Sequence, residues 1–323
     1  MITGHTSRLR PLTFLLTIFL MNANAVGQTQ VPSQDLRFDS TPVQERAPGN
    51  GGTEFTMASN PNFLTLRHPG SNHTFAFGLN NLGMIVGEYI DAAGTPFGFV
   101  FSAGKFTTIS YPGSVATQAQ GINDLGEIVG SYGVTFGFFQ GFSLKNGVFS
   151  QISYPGSVST YVTGINNLGE IVGIYFDQSS HQHGFLDSGG VYTTIDPPNS
   201  ASTLLGGINS SGEIVGSYCV SPCTQGASFT YSNGVFTNFN FALPNALYGI
   251  NTQGFLSGAF SPASGSQSDF VYDPTSGKII SFDIGGSSDT AAYGINDKCS
   301  VAGFFTDSST NFYGFYIQRD SCP

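Results

Sequence analysis

Three groups of side chains in this chain are of types that could do chemistry. His181 and His183 are two residues apart, so on a strand both imidazoles project from one face, where Asp177 could join them around a metal ion. Asp91, Asp177 and Asp307 lie in three separate connections, and two of them facing one channel could serve as acid and base in glycoside chemistry. Tyr111 and Tyr154 open the matching stretches Tyr111-Pro112-Gly113-Ser114 and Tyr154-Pro155-Gly156-Ser157, and His68-Pro69-Gly70-Ser71, with His73 beyond it, occupies the same place earlier. Aromatic rings so placed suit stacking on sugars or filling a protein interface. Each group also has a plainer role, as hairpin polar residues, solvated loop carboxylates and turn packing. No motif demands a cofactor or metal, and no Ser-His-Asp order, phosphate-binding glycine loop or Asp-box is present.

The elements that must position these residues are repeats. Gly121-Ile122-Asn123-Asp124-Leu125-Gly126-Glu127-Ile128-Val129-Gly130 has counterparts beginning at Gly78, Gly164, Gly207, Gly249 and Gly294, in steps of 43, 43, 43, 42 and 45 residues. A period in the forties, made of short apolar strands and glycine turns, signifies a toroid or array of repeats. Asn at the first and Gly at the fourth position of Asn123-Asp124-Leu125-Gly126 suit a tight turn: Asn bonds its own backbone two residues on, and Gly tolerates a positive φ. Alternation in Ile128, Gly130 and Tyr132 reads as a strand, and its mid-strand glycine predicts close approach by a neighbouring sheet.

Each copy continues into an aromatic strand such as Phe97-Gly98-Phe99-Val100-Phe101, a glycine turn, and a fourth strand such as Phe106 to Ser110. Four strands per repeat make one propeller blade. Apolar residues at i and i+3 in the fourth strand, Phe106 and Ile109, break strict alternation and predict a bulge or strong outer-edge twist there. Asn62 to Ser71 matches the fourth-strand stretch Lys105 to Ser114, whereas the last copy ends after Tyr313 to Gln318 without a fourth strand. The expected fold is therefore all-β: a six-bladed propeller of four-stranded blades over 61–323, closed by an N-terminal strand that completes the C-terminal blade. β-Helices have shorter periods, the absence of Trp removes the WD signature, and no paired-glycine kelch pattern is visible.

Before the repeats, Arg8 and Arg10, an apolar run from Pro11 to Met21, and Ala23-Asn24-Ala25 read as a secretory signal peptide, residues 1–25. Residues 26–60, rich in Gln, Pro and Gly, read as a disordered linker. No other run is long and apolar enough to span a membrane, so export to the periplasm or beyond is expected. A formal charge of −10 with only 9% charged residues gives no electrostatic footprint for nucleic acid or anionic membrane. Four cysteines in an exported chain favour disulfides; of three possible pairings, proximity favours Cys219 with Cys223 and Cys299 with Cys322, a zinc site being the rival.

Gly-Ile-Asn-x-x-Gly-x-Ile-Val-Gly, followed in one copy by His183-Gly184-Phe185-Leu186, resembles the probable extracellular repeats of the HAF family. The resemblance spans residues 74–318 and implies an exported bacterial β-repeat protein without an assigned activity. Only His183 keeps the family's histidine, and Phe101, Tyr231 or Tyr272 stands where its tryptophan follows. The resulting expectation is a monomeric, non-catalytic binding or scaffold module for glycan or protein at the cell surface. An extracellular carbohydrate-active enzyme, its site at the channel mouth, is the alternative.

Overall fold

A computed structural model describes residues 43–44, 62–135, 137–223, 226–239, 245–260, 268–284, 287 and 289–322. The segment read as a signal peptide, most of that read as a linker, and Pro61 lie outside them. Two short strands come first, β1 (Val43–Gln44) and β2 (Asn62–Leu66). Blade one is β3 (Ser71–Leu79), β4 (Ile85–Asp91), β5 (Pro96–Ser102) and β6 (Lys105–Ile109). Blade two is β7 (Ala116–Ile122), β8 (Ile128–Thr135), β9 (Phe138–Lys145) and β10 (Val148–Ile152). Blade three is β11 (Ser159–Ile165), β12 (Ile171–Phe176), β13 (Gln182–Ser188) and β14 (Val191–Thr194). Blade four is β15 (Ser202–Ile208), β16 (Ile214–Cys219), β17 (Gly226–Ser232) and β18 (Val235–Phe239). Blade five is β19 (Asn245–Ile250), β20 (Leu256–Phe260), β21 (Ser268–Tyr272) and β22 (Ile279–Ile284). Blade six is β23 (Asp289–Ile295), β24 (Val301–Thr306) and β25 (Phe312–Gln318), with β2 as its outer strand.

The expected closure is present: β2 pairs antiparallel with β25 from Asn62↔Gln318 to Leu66↔Gly314. Within the stretch read as linker, β1 adds a fifth strand to blade five through Val43↔Ile284 and Gln44↔Asp283. Both expected disulfides form, Cys219–Cys223 and Cys299–Cys322, which is consistent with an oxidising compartment. Among the described residues, no helix is long and apolar enough to cross a membrane.

The core is a set of wedges between blades. Val86 and Ile109 of blade one pack with Ala119, Ile122, Ile128 and Phe142 of blade two, and Val129 and Ile152 of blade two with Val162, Ile165 and Phe185 of blade three. This arrangement explains the fourth-strand spacing. Phe106 packs with Phe99 and Phe101, whereas Ile109 joins the wedge toward blade two. Residues three apart in a strand face opposite ways, so each outer strand serves both neighbouring wedges. The bulge expected in the fourth strand is therefore absent, and β5–β6 runs in unbroken register.

A bulge falls instead in every innermost strand, immediately before the repeat glycine, as between Ala119 and Gly121. The extra residues, Phe77, Gln120, Thr163, Gly206, Tyr248 and Tyr293, line an axial cavity of about 90 Å³. The glycines beside them close the hub: a Cβ on Gly121 would lie 3.1 Å from Gly164 Cα, and one on Gly164 3.2 Å from Gly207 Cα. The mid-strand glycine also has a different neighbour from the one expected. A Cβ on Gly87 would meet the Phe75 carbonyl oxygen and, at 2.8 Å, Phe99 Cε1, so the space is filled within the same blade, by the backbone of the preceding strand and the paired phenylalanine of the next. That pairing recurs as Gly130↔Phe142 and Gly173↔Phe185.

Candidate functional site

The repeated asparagines are structural, and they do more than shape turns. Asn123 Oδ1 accepts from Leu125 N at 3.1 Å and Glu127 N at 3.0 Å, the expected use of the side chain. Its Nδ2 donates to Asn166 O of the next blade at 3.2 Å. Asn80, Asn166, Asn209, Asn251 and Asn296 donate to the next blade in the same way, and the last returns to Asn80 O at 3.2 Å. Six hydrogen bonds thus circle the axis, from side chains no more than 5% exposed. Turns from first to second strand and from third to fourth share this face, as the 2.9 Å ion pair between Lys145 and Glu127 confirms.

The other face carries the second-to-third-strand hairpins and the connections between blades, joined where Gln178 Nε2 donates to Gly156 O at 3.0 Å. Here His68, Tyr111 and Tyr154 occupy equivalent places and stack on Tyr89, Tyr132 and Tyr175, with ring centroids 3.5, 3.5 and 3.7 Å apart. Phe106, Phe149 and Tyr192 meet the same rings edge-on. Turn packing therefore uses ring faces that the sequence suggested for sugar stacking. Burial lowers the His68 pKa against the opposing bond to Pro69 O, and burial also lowers that of His73. His73 Nδ1 accepts from Phe312 N at 3.3 Å, at the seam between blades six and one.

Asp91, Asp177 and Asp307 sit at the same place in blades one, three and six. Each Oδ1 accepts two backbone N–H groups of its own hairpin, Ala93 and Thr95, Ser179 and His181, or Ser309 and Asn311. No hydrogen bond or ion pair joins any two of them among the described residues. What differs is the use of Oδ2. In blade six, Asp307 Oδ2 accepts from Asn311 Nδ2 at 3.0 Å and Tyr313 Oη at 3.3 Å. Burial acts to raise the Asp307 pKa, but these bonds outweigh it and hold the pKa low.

Blade three is the place where titratable groups converge. Asp177 Oδ2 lies 3.5 Å from His181 Nδ1 and 3.6 Å from His183 Nε2, so the expected trio is brought together. His183 Nδ1 donates to Asp196 Oδ2 at 2.6 Å, while Asp196 Oδ1 accepts Gly184 N at 3.1 Å. The His183 ring lies 5.0 Å from Tyr175, whose hydroxyl shares Thr194 Oγ1 with that of Tyr154 at 3.0 and 2.8 Å. Burial pushes the Tyr175 pKa up to about 12. The backbone bond from His181 leads in holding the Asp177 carboxyl low. The three donors do not converge as a metal cage, and no such group exists among the described residues. Asp196 was missed in the sequence; its signal is its place just beyond the fourth strand, β14, opposite His183.

Among the described residues the cluster has no full copy elsewhere. At the place of His183 stand Phe97 in blade one, Gln140 in blade two, Ala227 in blade four and Tyr313 in blade six. The exposed His181 imidazole and the half-buried His183, Asp177 and Asp196 supply both donors and acceptors to a polyhydroxylated ligand.

No protein-family model matches the chain, and no curated protein matches it in sequence. Solved propellers match in structure. TolB from Acinetobacter baumannii aligns at a TM-score of 0.52 and 10% identity over 78% of this chain, which spans only 65% of that one. An arginine-to-alanine mutant of AofleA from Arthrobotrys oligospora aligns at 0.50 and 11%, over 78% of this chain and 85% of that one. The SapL1 lectin in complex with alpha methyl fucoside aligns at 0.50 and 10%, over 78% and 97%. These likenesses show a shared six-bladed propeller fold.

Proposed function

We propose that this chain is an exported, non-catalytic module that recognises glycan through the loop face of blade three. One observation carries the reading: His181, His183, Asp177 and Asp196 gather in the one blade that keeps the repeat's histidine, beside the stacked Tyr154 and Tyr175. Function concentrates on loops held by a rigid scaffold, and here it falls where the sixfold pattern is broken. SapL1, with alpha methyl fucoside bound, is a case in which this scaffold holds a sugar. Both disulfides and the N-terminal basic and apolar segment support export. Catalysis is left out because Asp91, Asp177 and Asp307 each serve their own hairpin.

The test is a glycan array probed with the mature chain, followed by titration of any hit against wild type and His183→Phe, which installs the residue of blade one. Binding should fall about tenfold or more, the loss expected when a buried polar contact is removed, with the melting temperature unchanged. An array without a hit, or equal affinity for the variant, would sink the proposal.

A further inference from the structure

We propose that the asparagine-turn face is a second binding surface, for a protein segment that presents lysine or arginine among aliphatic side chains. Leu82, Leu125 and Leu168 stand on the turns of blades one to three at 71%, 73% and 72% exposure. Hydrogen bonds from Asn80 to Asn123 and from Asn123 to Asn166 make these turns neighbours. Ser211, Gln253 and Lys298 hold the same place in blades four to six, so the apolar residues form an arc on one side. Val148, Val191 and Val235, on the outer hairpins of blades two to four, extend it at 66%, 67% and 62% exposure. Solitary exposed aliphatics need no explanation, but six grouped on one face do.

Charge selects the partner. At the axis, a mouth of about 70 Å³ opens over a collar of aliphatic side chains from Leu79 to Ile295. Asp124 Oδ2 and Asp297 Oδ2 both accept from Asn81 Nδ2 there, at 2.9 and 2.8 Å. Their further partners, Asn167 Nδ2 and Asn81 N on Asp124 and Thr252 N on Asp297, are also neutral, so among the described residues no cation pairs with either carboxylate; Glu170 adds charge beside the arc, whereas Glu127 is already tied to Lys145. A cationic group over the mouth, flanked by aliphatic side chains on the arc, satisfies both features. A second copy of this chain would bring the same carboxylates together, and an anionic membrane would be repelled.

A labelled peptide of alternating leucine and lysine is the probe, read by fluorescence anisotropy, with leucine–glutamate and serine–lysine peptides as controls. Wild type should bind the first peptide, more weakly as salt rises. The triple variant Leu82→Ser, Leu125→Ser, Leu168→Ser should bind it about tenfold more weakly, with its melting temperature and any glycan binding unchanged. No binding, equal binding by the triple variant, or equal binding of either control peptide overturns the proposal. So does dimerisation of wild type that the triple variant abolishes, because the partner is then a second copy. Glycan binding uses the opposite face, so either proposal can fail alone.

Discussion

The same turn is built twice in this molecule, once with an amide and once with a carboxylate. Asn80 Oδ1 accepts the N–H groups of Leu82 and Met84, and Asp91 Oδ1 those of Ala93 and Thr95, the same two-and-four spacing. Their second atoms part company. Asn80 Nδ2 donates into the next blade, and with five equivalents completes a buried circle, whereas the hairpin aspartates occur in only three blades at half-buried positions. Where the turn is buried against a neighbour it needs a donor, which only the amide has; where it meets solvent, a carboxylate keeps an acceptor in reserve. Asp177 Oδ2 is that reserve, and His181 and His183 gather around it.

Breaking the circle altogether should have the largest effect. Deleting residues 62–67 removes β2, leaves blade six with three strands, and exposes the packing made by Phe63 and Leu66, which are 3% and 0% exposed. Those two side chains alone represent about 5–10 kcal/mol at the usual cost of truncating buried Phe and Leu. The deletion should abolish cooperative melting, and a transition near that of wild type would show that the blades do not depend on closure.

Asn123→Asp sharpens the comparison by putting the solvent-face residue into the buried face. The turn's acceptor survives, but the bond to Asn166 O is lost and a carboxylate is buried beside a carbonyl. A loss of about 2–4 kcal/mol is expected in denaturant unfolding at neutral pH. Burial raises the folded-state pKa of such a carboxyl, so the deficit should shrink toward acid pH, where both states are protonated. A deficit independent of pH would mean that the lost bond, and not the charge, sets the cost.

Glu88 tests the rule inside the body. It is 1% exposed in β4, and burial pushes its pKa to about 8 against the opposing influence of Gln118. Between about pH 4.5 and 8 the unfolded chain has released this proton and the folded chain has not, so stability should fall as pH rises, by at most about 1.4 kcal/mol per pH unit. Glu88→Gln should remove that slope. Parallel stability curves for the two proteins would contradict it.

The residues that were legible in the sequence are those whose cause is local. Turn chemistry at Asn-x-x-Gly, the spare strand at Asn62 to Leu66, the count of six and both disulfide pairings follow from period, alternation and proximity. The hydrogen bond from Asn123 to Asn166 was not legible, because nothing in one turn says which group of the next blade lies within reach. The displaced bulge has the same origin: Phe106 and Ile109 break alternation to serve two wedges, which only the closed ring creates. At the candidate site, Asp177, His181 and His183 were found through spacing along one hairpin. Asp196 lies just beyond β14, which pairing with β13 brings against His183, a relation that spacing does not carry.

Asp177→Asn is the reverse exchange and should change stability least. The amide keeps an oxygen for Ser179 N and His181 N, so the hairpin persists and the melting temperature should fall only slightly at neutral pH. Hydrogen bonds, led by that from His181 N, hold the Asp177 pKa low, so its contribution is present above the ordinary carboxylate range and is lost as pH falls through the folded value. The variant should lack this acid-side dependence. What it must lose is the charge between His181 and His183, so glycan affinity should drop without a change in fold. If stability falls as far as in Asn123→Asp, the two turns are equivalent after all, and the aspartates are structural on both faces.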